Sequence, residues 1–192
     1  MKKISYKGTV VVDVDGVIAD FEDEFCERFG YEHRDLYSLY ERYPNVDREL
    51  IEEFVSSPSS YENLVPIFGG AVALLGTLRA RGHYILLMTS RPKKLAEVTR
   101  EWLEGYEIQY NELWFTSDKA GSIEEFNNMY PSRKVILLVD DCGRNTENLT
   151  GGVVGAVWEQ PWNNGYFPRM RYNSELMRVE ILTDTVSKWV KF

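Results

Sequence analysis

The chain has 192 residues, enough for one domain of ordinary size that buries a substantial core. Its composition, 44% hydrophobic and 14% aromatic, excludes a disordered chain. The formal net charge of −8 disfavours sequence-independent binding of nucleic acid, so we expect no stable nucleic-acid partner.

The first predicted element is a strand at residues 9–12, an apolar, β-branched run of the kind that is buried on both faces of a sheet. Residues 21–65 follow, an acidic, aromatic and mostly helical stretch that is too long for a single crossover helix. We interpret this stretch as a small helical cap. It would be inserted into a core that comprises residues 1–20 and 66–192.

Helix and strand patterns alternate after the cap. Helices are predicted at residues 70–81, 93–103 and 123–130, strong strands at 83–88 and 135–139, and weaker strands at 112–116 and 153–158. This alternation favours an α/β fold in which a parallel sheet carries helices on both faces.

Polar side chains follow each of the three strong strands. Asp13 and Asp15 follow the first, Thr89 and Ser90 the second, and an Asp-Asp pair at residues 140–141 ends the third. Ligands bind outside the carboxyl ends of the strands in open parallel sheets. Carboxylates gathered there repel one another unless a divalent cation neutralises them, and oxygen ligands without His or Cys favour Mg²⁺.

The motif Asp13-Val14-Asp15-Gly16 is a weak signal by itself, because Asp and Gly are common in turns. A calcium loop that starts at Asp13 is excluded by Val17 and Ile18, which stand where a ligand and a glycine are required. The motif indicates a function only in combination with the segments that follow it.

Four segments occur in a fixed order along the chain. They are the segment from Val10 to Asp20, the strand end Leu86–Ser90, the lysine of Ser117-Asp118-Lys119, and the segment Ile136–Asp141. Together they resemble the four motifs of the haloacid dehalogenase superfamily of phosphatases. The resemblance implies a Rossmann-like core with a small cap after the first strand, and a Mg²⁺-dependent phosphomonoester hydrolase.

Within that superfamily the chain is most similar to the 5′(3′)-deoxyribonucleotidases. It shares their continuation at Asp15–Phe21, their Pro-x-x-Gly approach to the second strand at residues 66–69, and an Asp-Lys pair ahead of Asp-Asp. It departs from them by a longer stretch after Lys119, which leaves Lys134 as an alternative for the motif lysine. Arg91-Pro92 after the Thr-Ser pair is a second departure, and it bears on the choice of substrate.

The resemblance implies a role for each acidic residue. Asp13 would attack phosphorus and form an aspartyl-phosphate. Asp15 would protonate the leaving oxygen and then deprotonate the attacking water, while its backbone carbonyl faces the metal. Asp140 would complete the Mg²⁺ shell with these two residues, and Asp141 would orient a metal-bound water or the lysine, or cap the next helix.

The resemblance also implies a phosphate-binding set. Thr89 would donate a hydrogen bond to a phosphoryl oxygen, with Ser90 as the alternative, and the strand-end position favours Thr89. Lys119 would offset the charge of the phosphate and of Asp13.

The implied substrate is a small phosphorylated compound, for which the nearest resemblance suggests a nucleoside monophosphate. Two alternatives stay open: another small phosphomonoester or a nucleic-acid 3′-phosphate end, and a phosphate-binding regulatory module without turnover. Binding alone would not need both aspartates of the first motif, which argues against the regulatory module.

Two features outside the motifs have open interpretations. Arg91, Lys93, Lys94 and Arg100 form a basic patch, which is either a solvated helix face or a site for an anion. Trp162 follows the last predicted strand and is either a loop anchor or a wall of the substrate site.

Two distant cysteines, Cys26 and Cys142, form neither a disulfide framework nor a zinc cluster. The apolar run near the N-terminus is too short for a signal-peptide core or a membrane span. We therefore expect a cytoplasmic protein with no membrane partner, and the sequence leaves a homodimer open.

Overall fold

The computed structural model describes residues 6–32, 38–67, 72–163, 165–166, 168–173, 178–182 and 187–188. Within these ranges the strands are β1 (Thr9–Val12), β2 (Tyr84–Thr89), β3 (Glu112–Phe115), β4 (Val135–Asp140), β5 (Val154–Trp158), β6 (Arg169–Asn173), β7 (Arg178–Leu182) and β8 (Ser187–Lys188). The α-helices are α1 (Phe21–Phe29), α2 (Leu39–Arg42), α3 (Arg48–Ser56), α4 (Ser59–Glu62), α5 (Ala73–Ala80), α6 (Ala96–Gly105), α7 (Lys119–Met129) and α8 (Gly143–Thr146). Short 3₁₀ helices lie at Lys93–Leu95, Pro131–Arg133 and Pro161–Asn163.

The described strands form one sheet in the order β3-β2-β1-β4-β5-β6-β7-β8. Strands β1 to β6 run parallel, and β7 and β8 extend the sheet in the antiparallel sense. The chain moves outward from β1 to β3 and then returns to place β4 on the other side of β1. This reversal creates a crevice at the carboxyl ends of β1 and β4, where doubly wound folds bind ligands.

Helices cover both faces of the sheet because alternate residues of each central strand point in opposite directions. Val10 and Val12 of β1 belong to a hydrophobic cluster that includes residues of α5 and α6. Val11 belongs to a second cluster with Ile123 and Phe126 of α7. The predicted α/β fold with helices on both faces is therefore confirmed.

The segment predicted to form a cap contains α1 to α4, with residues 33–37 outside the described ranges. Its ends meet, because the Asp20 N–H donates to the Val65 carbonyl at 3.0 Å. Phe25, Tyr43 and Phe54 pack together in a hydrophobic cluster separate from those of the sheet. The division of the chain into a core and a cap stays a prediction.

Element boundaries differ from the predicted ones in ways that local chemistry explains. Helix α7 begins at Lys119, four residues before the predicted start, because the Asp118 carboxylate caps it by accepting from the Gly121 N–H at 2.9 Å. The stretch predicted as a helix from residue 93 begins as a 3₁₀ turn and becomes α-helical at Ala96. Helix α5 is described from Ala73, and residues 70 and 71 of the predicted helix lie outside the described ranges.

The helices are short. The longest in the described part of the chain is α7, with 11 residues, whereas a membrane span needs about 20 apolar ones. None of the described helices has the length and apolar character to cross a bilayer.

Candidate active site

Three carboxylates converge in the crevice between β1 and β4. Asp13 follows β1 directly, Asp140 is the last residue of β4, and Asp141 comes next in the chain. Each offers an oxygen that lies within 4.8 Å of the others, and all three residues are buried. This is the group of described residues best suited to hold a metal ion.

Lys119 at the start of α7 contributes the one ammonium group that contacts this cluster in the described part of the chain. Its Nζ lies 2.7 Å from Asp13 Oδ2 and 2.5 Å from Asp140 Oδ2. Lys134, the alternative for the motif lysine, is exposed and precedes β4, at the opposite end of that strand from Asp140. The geometry therefore places Lys119, and not Lys134, among the carboxylates.

Burial and mutual repulsion disfavour the ionised forms of the carboxylates. Desolvation is the largest cause that raises the pKa of Asp13 to about 7, and the charge of Asp140 adds to it, while Lys119 acts in the opposite direction. Desolvation and the charges of Asp13 and Asp140 raise the pKa of Asp141 well above its ordinary value. Burial alone would lower the pKa of Lys119, but the two aspartates outweigh it and raise that pKa.

The hydrogen bonds of the two motif-four aspartates differ. Asp140 accepts from the Cys142 N–H at 2.9 Å, from Asn145 Nδ2 at 3.1 and 3.2 Å, and from Lys119 Nζ. Both of its oxygens therefore already have N–H donors. In the described part of the chain the Asp141 carboxylate accepts a single hydrogen bond, from Trp162 Nε1 to Oδ2 at 3.1 Å.

This difference bears on the ligands that a cation would use. A metal ion needs lone pairs that no donor occupies, so the geometry favours Asp141 over Asp140 as the partner of Asp13. The assignment of Asp140 to the metal, and of the Asp15 carbonyl beside it, stays a prediction. When all three carboxylates are ionised, the one ammonium leaves a net charge of about −2, which a divalent cation would balance.

The turn after β1 fixes the relative positions of these groups. The Asp13 carboxylate accepts from the Val14 N–H at 2.7 Å, which orients its Oδ1. Gly16 has a positive φ of 75°, and a Cβ there would overlap the Asp141 carboxylate. Glycine is therefore required both by the backbone conformation and by the close approach of Asp141.

Asp15 does not belong to this group of three carboxylates and pairs with Arg91. Arg91 Nη2 lies 2.6 Å from Asp15 Oδ1, and Nε lies 2.9 Å from Oδ2. The pair joins the turn after β1 to the turn after β2. Arg91 is buried, unlike Lys93, Lys94 and Arg100, so the predicted basic patch is not one surface.

The two hydroxyl residues after β2 lie in different surroundings. Thr89 is fully buried, and its Oγ1 accepts from the Arg91 N–H at 3.1 Å. Ser90 is exposed and lines the cavity beside Asp13. Their roles as phosphate ligands stay predictions, and the geometry gives Ser90 the more accessible hydroxyl.

A cavity of about 250 Å³ opens above the carboxylates. Its floor includes Asp13, Asp15 and Asp141, and the rings of Phe21, Tyr40, Tyr61 and Trp162 form part of its walls. Trp162 therefore both anchors a loop, through its bond to Asp141, and lines the cavity. The site thus combines an acidic floor with an aromatic wall.

Comparison with solved structures identifies the fold. A haloacid dehalogenase-like family hydrolase from Streptococcus pneumoniae superimposes with a TM-score of 0.58 at 12% identity, over 88% of this chain and 95% of that one. A Thermotoga maritima protein described as a candidate beta-phosphoglucomutase gives a TM-score of 0.53 at 16% identity, over 88% and 96% of the two chains. The chain therefore has a haloacid dehalogenase-like fold.

Comparisons based on the sequence do not refine the assignment beyond the fold. No family model matches the chain, and no curated protein matches it. The similarity to 5′(3′)-deoxyribonucleotidases thus stays a prediction based on the motifs.

Two residues of the site have roles that the sequence did not predict. Asn145, on the first turn of α8, donates to both oxygens of Asp140 at 3.1 and 3.2 Å. Gln160 Nε2 donates to the Gly16 carbonyl at 2.7 Å and so ties the loop after β5 to the turn after β1. Asn145 lies five residues after Asp140, a spacing that the sequence displays but that carries meaning only beside the predicted Asp-Asp motif.

Proposed function

We propose that this protein is a Mg²⁺-dependent phosphomonoester hydrolase that works through an aspartyl-phosphate on Asp13 and takes nucleoside monophosphates as substrates. The observation that supports it most strongly is the cluster of Asp13, Asp140 and Asp141 around Lys119 at the crevice between β1 and β4. Four buried charged groups with a negative excess are costly to assemble unless they serve a cation.

The oxygen-only donor set fits Mg²⁺. Asp13 and Asp141 would hold the ion, with Asp140 or the Asp15 carbonyl as further ligands. The bound ion would supply positive charge that reduces the repulsion between a carboxylate nucleophile and an anionic phosphate.

Asp13 has the position of a nucleophile. Its carboxylate borders the cavity, and the bonds from the Val14 N–H and from Lys119 hold it in one orientation. An Asp13 oxygen would attack phosphorus as the bond to the leaving oxygen breaks, and water would then cleave the aspartyl-phosphate. Lys119 would keep its ammonium charge throughout, because Asp13 and Asp140 raise its pKa, and would offset charge on the transferred phosphoryl group.

Asp15 stands beside Asp13 on the cavity floor and is accessible, with 28% of its side chain exposed. It would donate a proton to the leaving oxygen and later accept one from the attacking water. Ser90 or Thr89 would donate a hydrogen bond to the phosphoryl oxygens.

The cavity supports a compact leaving group that has a flat, apolar part. Its volume of about 250 Å³ lies just below the usual range for ligand sites, about 300 to 1,000 Å³, and four aromatic residues line it. A nucleoside meets both requirements, because its base can stack on an aromatic wall while its sugar carries the ester.

Release of inorganic phosphate tests this proposal. The panel comprises deoxyribonucleoside and ribonucleoside 5′- and 3′-monophosphates, sugar phosphates, a 3′-phosphorylated oligonucleotide and 4-nitrophenyl phosphate, each with Mg²⁺ and with a chelator. We expect Mg²⁺-dependent turnover, highest for nucleoside monophosphates, which Asp13→Asn abolishes and Glu97→Gln, at an exposed position on α6, does not change.

Three results would contradict parts of the proposal. Full activity in Asp13→Asn would exclude this residue as the nucleophile. Preference for the oligonucleotide or for a sugar phosphate would exclude the nucleotide assignment. Phosphate binding by the parent protein without release of product from any substrate would favour a regulatory module.

A further inference from the structure

The ion pair between Asp15 and Arg91 is asymmetric in its exposure. The Arg91 side chain is 1% exposed, whereas that of Asp15 is 28% exposed and faces the cavity. Two guanidinium nitrogens bind the two carboxylate oxygens, Nη2 to Oδ1 at 2.6 Å and Nε to Oδ2 at 2.9 Å. Such a two-point contact fixes both the position and the plane of the carboxyl group.

Arg91 makes further contacts that hold its guanidinium group in place. Its guanidinium carbon lies 4.4 Å from the ring centre of Tyr61 and 5.7 Å from that of Trp102. Its remaining terminal nitrogen, Nη1, donates to Thr99 Oγ1 at 3.2 Å. Trp102 in turn donates its indole N–H to the Leu64 carbonyl at 2.8 Å, so the ring cannot shift freely.

These contacts come from three separate parts of the chain. Tyr61 belongs to α4 of the predicted cap, Thr99 and Trp102 belong to α6, and Arg91 lies in the turn after β2. Arg91 is therefore contacted by several elements, whereas its partner Asp15 keeps a more exposed side chain at the cavity. This arrangement suits a guanidinium group that holds the carboxylate of Asp15 in a fixed position at the cavity.

We propose that Arg91 is a positioning residue that aims the Asp15 carboxyl group at the leaving oxygen of the substrate. The inference rests on the proposed function, because it takes Asp15 as the proton donor. As the ester P–O bond breaks, the proton moves from an Asp15 oxygen to the leaving alcohol. Hydrolysis of the aspartyl-phosphate by water returns a proton to Asp15, and the other Asp15 oxygen keeps its contact with Arg91 in both steps.

A positioned acid matters only when the leaving group needs a proton. An alkyl phosphate, such as a nucleoside monophosphate, leaves as a strongly basic alkoxide unless it is protonated, and a general acid there contributes about 10²- to 10⁴-fold. The 4-nitrophenolate group leaves without a proton. Misplacing Asp15 should therefore slow alkyl esters selectively, which a general loss of structure would not do.

The test compares kcat/KM for a nucleoside monophosphate with that for 4-nitrophenyl phosphate. In Arg91→Gln we expect the ratio of the two to fall by about 10²-fold relative to the parent, since misplacement by about 1 Å costs that much. Arg91→Lys keeps the charge but not the two-point contact, and we expect a similar fall. Asp15→Asn provides the reference pattern, and Arg79→Gln, exposed on α5, is the matched control with an unchanged ratio.

Each outcome decides the matter. An equal loss for both esters in Arg91→Gln, with an unchanged ratio, overturns the positioning role and leaves the proposed function intact. An unchanged ratio in Asp15→Asn also overturns it, because Asp15 would then not be the acid. Absence of turnover in the parent overturns the proposed function, and the inference with it.

A second variant protects the test against misfolding. If Arg91→Gln does not give a cooperative thermal transition, Thr99→Val removes the bond to Nη1 while keeping the shape of the buried side chain. The guanidinium then gains freedom without losing its charge. We expect the alkyl-to-aryl ratio to fall by about 10-fold, and an unchanged ratio in a folded Thr99→Val protein would overturn the proposal.

Discussion

Replacement of Asp13 by Asn should stabilise the metal-free protein at neutral and alkaline pH, although it removes the proposed nucleophile. The pKa of Asp13 is raised from 3.8 to about 7, so the folded protein holds a proton that the unfolded chain releases near pH 4. The sign follows from linkage: where the folded state binds more protons, stability falls as the pH rises. The stability that the proton on Asp13 contributes to the folded state is therefore present in full below about pH 4 and is lost by about pH 7.

The size of the effect follows from the same values. A difference of 3.2 between 7 and 3.8, at about 1.4 kcal/mol for each pKa unit, gives an upper limit of about 4 kcal/mol. Asparagine keeps an oxygen for the Val14 N–H, but its amide nitrogen would face the Lys119 ammonium, which reduces the gain. We expect a net stabilisation of about 1 to 3 kcal/mol at pH 8, or about 3 to 10 °C in melting temperature for a chain of this size.

Thermal unfolding followed by circular dichroism at pH 5 and pH 8, with a chelator, measures this effect. The parent should lose stability between the two pH values, and Asp13→Asn should lose less, with Asp141 accounting for the remainder because its pKa is also raised. Glu97→Gln should follow the parent. Equal melting temperatures at pH 8 for the parent and Asp13→Asn would refute the claim that burial dominates the electrostatics of Asp13.

Three further substitutions test the site. Lys119→Met should lower kcat by about 10²- to 10³-fold in phosphate release, whereas Lys134→Met should leave it within about twofold. Gly16→Ala should destabilise the fold by about 1 to 3 kcal/mol in thermal unfolding, because of the positive φ and the overlap with Asp141. Trp162→Phe removes the N–H that Asp141 accepts, and should raise the Mg²⁺ concentration for half-maximal activity by about tenfold.

The central strands could be predicted from the sequence because they are buried on both faces and read as unbroken apolar runs. The strands β6 to β8 could not. Strand β6, Arg-Met-Arg-Tyr-Asn, alternates polar and apolar residues. Among its described side chains, that of Met170 is fully buried. Its place is set by pairing with β5 and β7, which is a property of the folded chain.

The motifs located the carboxylates but not the contacts between them. Asp140 and Asp141 are neighbours in sequence, and only the donors supplied by Asn145, the Cys142 backbone and Lys119 distinguish one from the other. The proposed metal role of Asp141 depends on that difference. A sequence pattern cannot show which of two adjacent carboxylates already has its lone pairs occupied.

Arg91 illustrates the same limit of sequence-based prediction for residues that lie far apart in the chain. In the sequence it is grouped with Lys93, Lys94 and Arg100 as a basic patch, which indicates either a solvated helix face or a site for an anion. In the structure the two lysines are exposed, whereas Arg91 turns inward to Asp15, a partner 76 residues away. Proximity in sequence therefore suggested a surface for anions, but the guanidinium is already committed to a carboxylate.

The positive groups of the site are thus divided between two tasks. Lys119 pairs with Asp13 and Asp140, and Arg91 pairs with Asp15, so among the described contacts neither of these cations forms an ion pair with Asp141, although the charge of Lys119 acts to lower the pKa of Asp141. A proton can balance that charge, because burial and the neighbouring aspartates raise the pKa of Asp141. The proposed phosphatase activity would need additional positive charge, since its substrate is itself an anion, and a divalent metal is the proposed source of that charge.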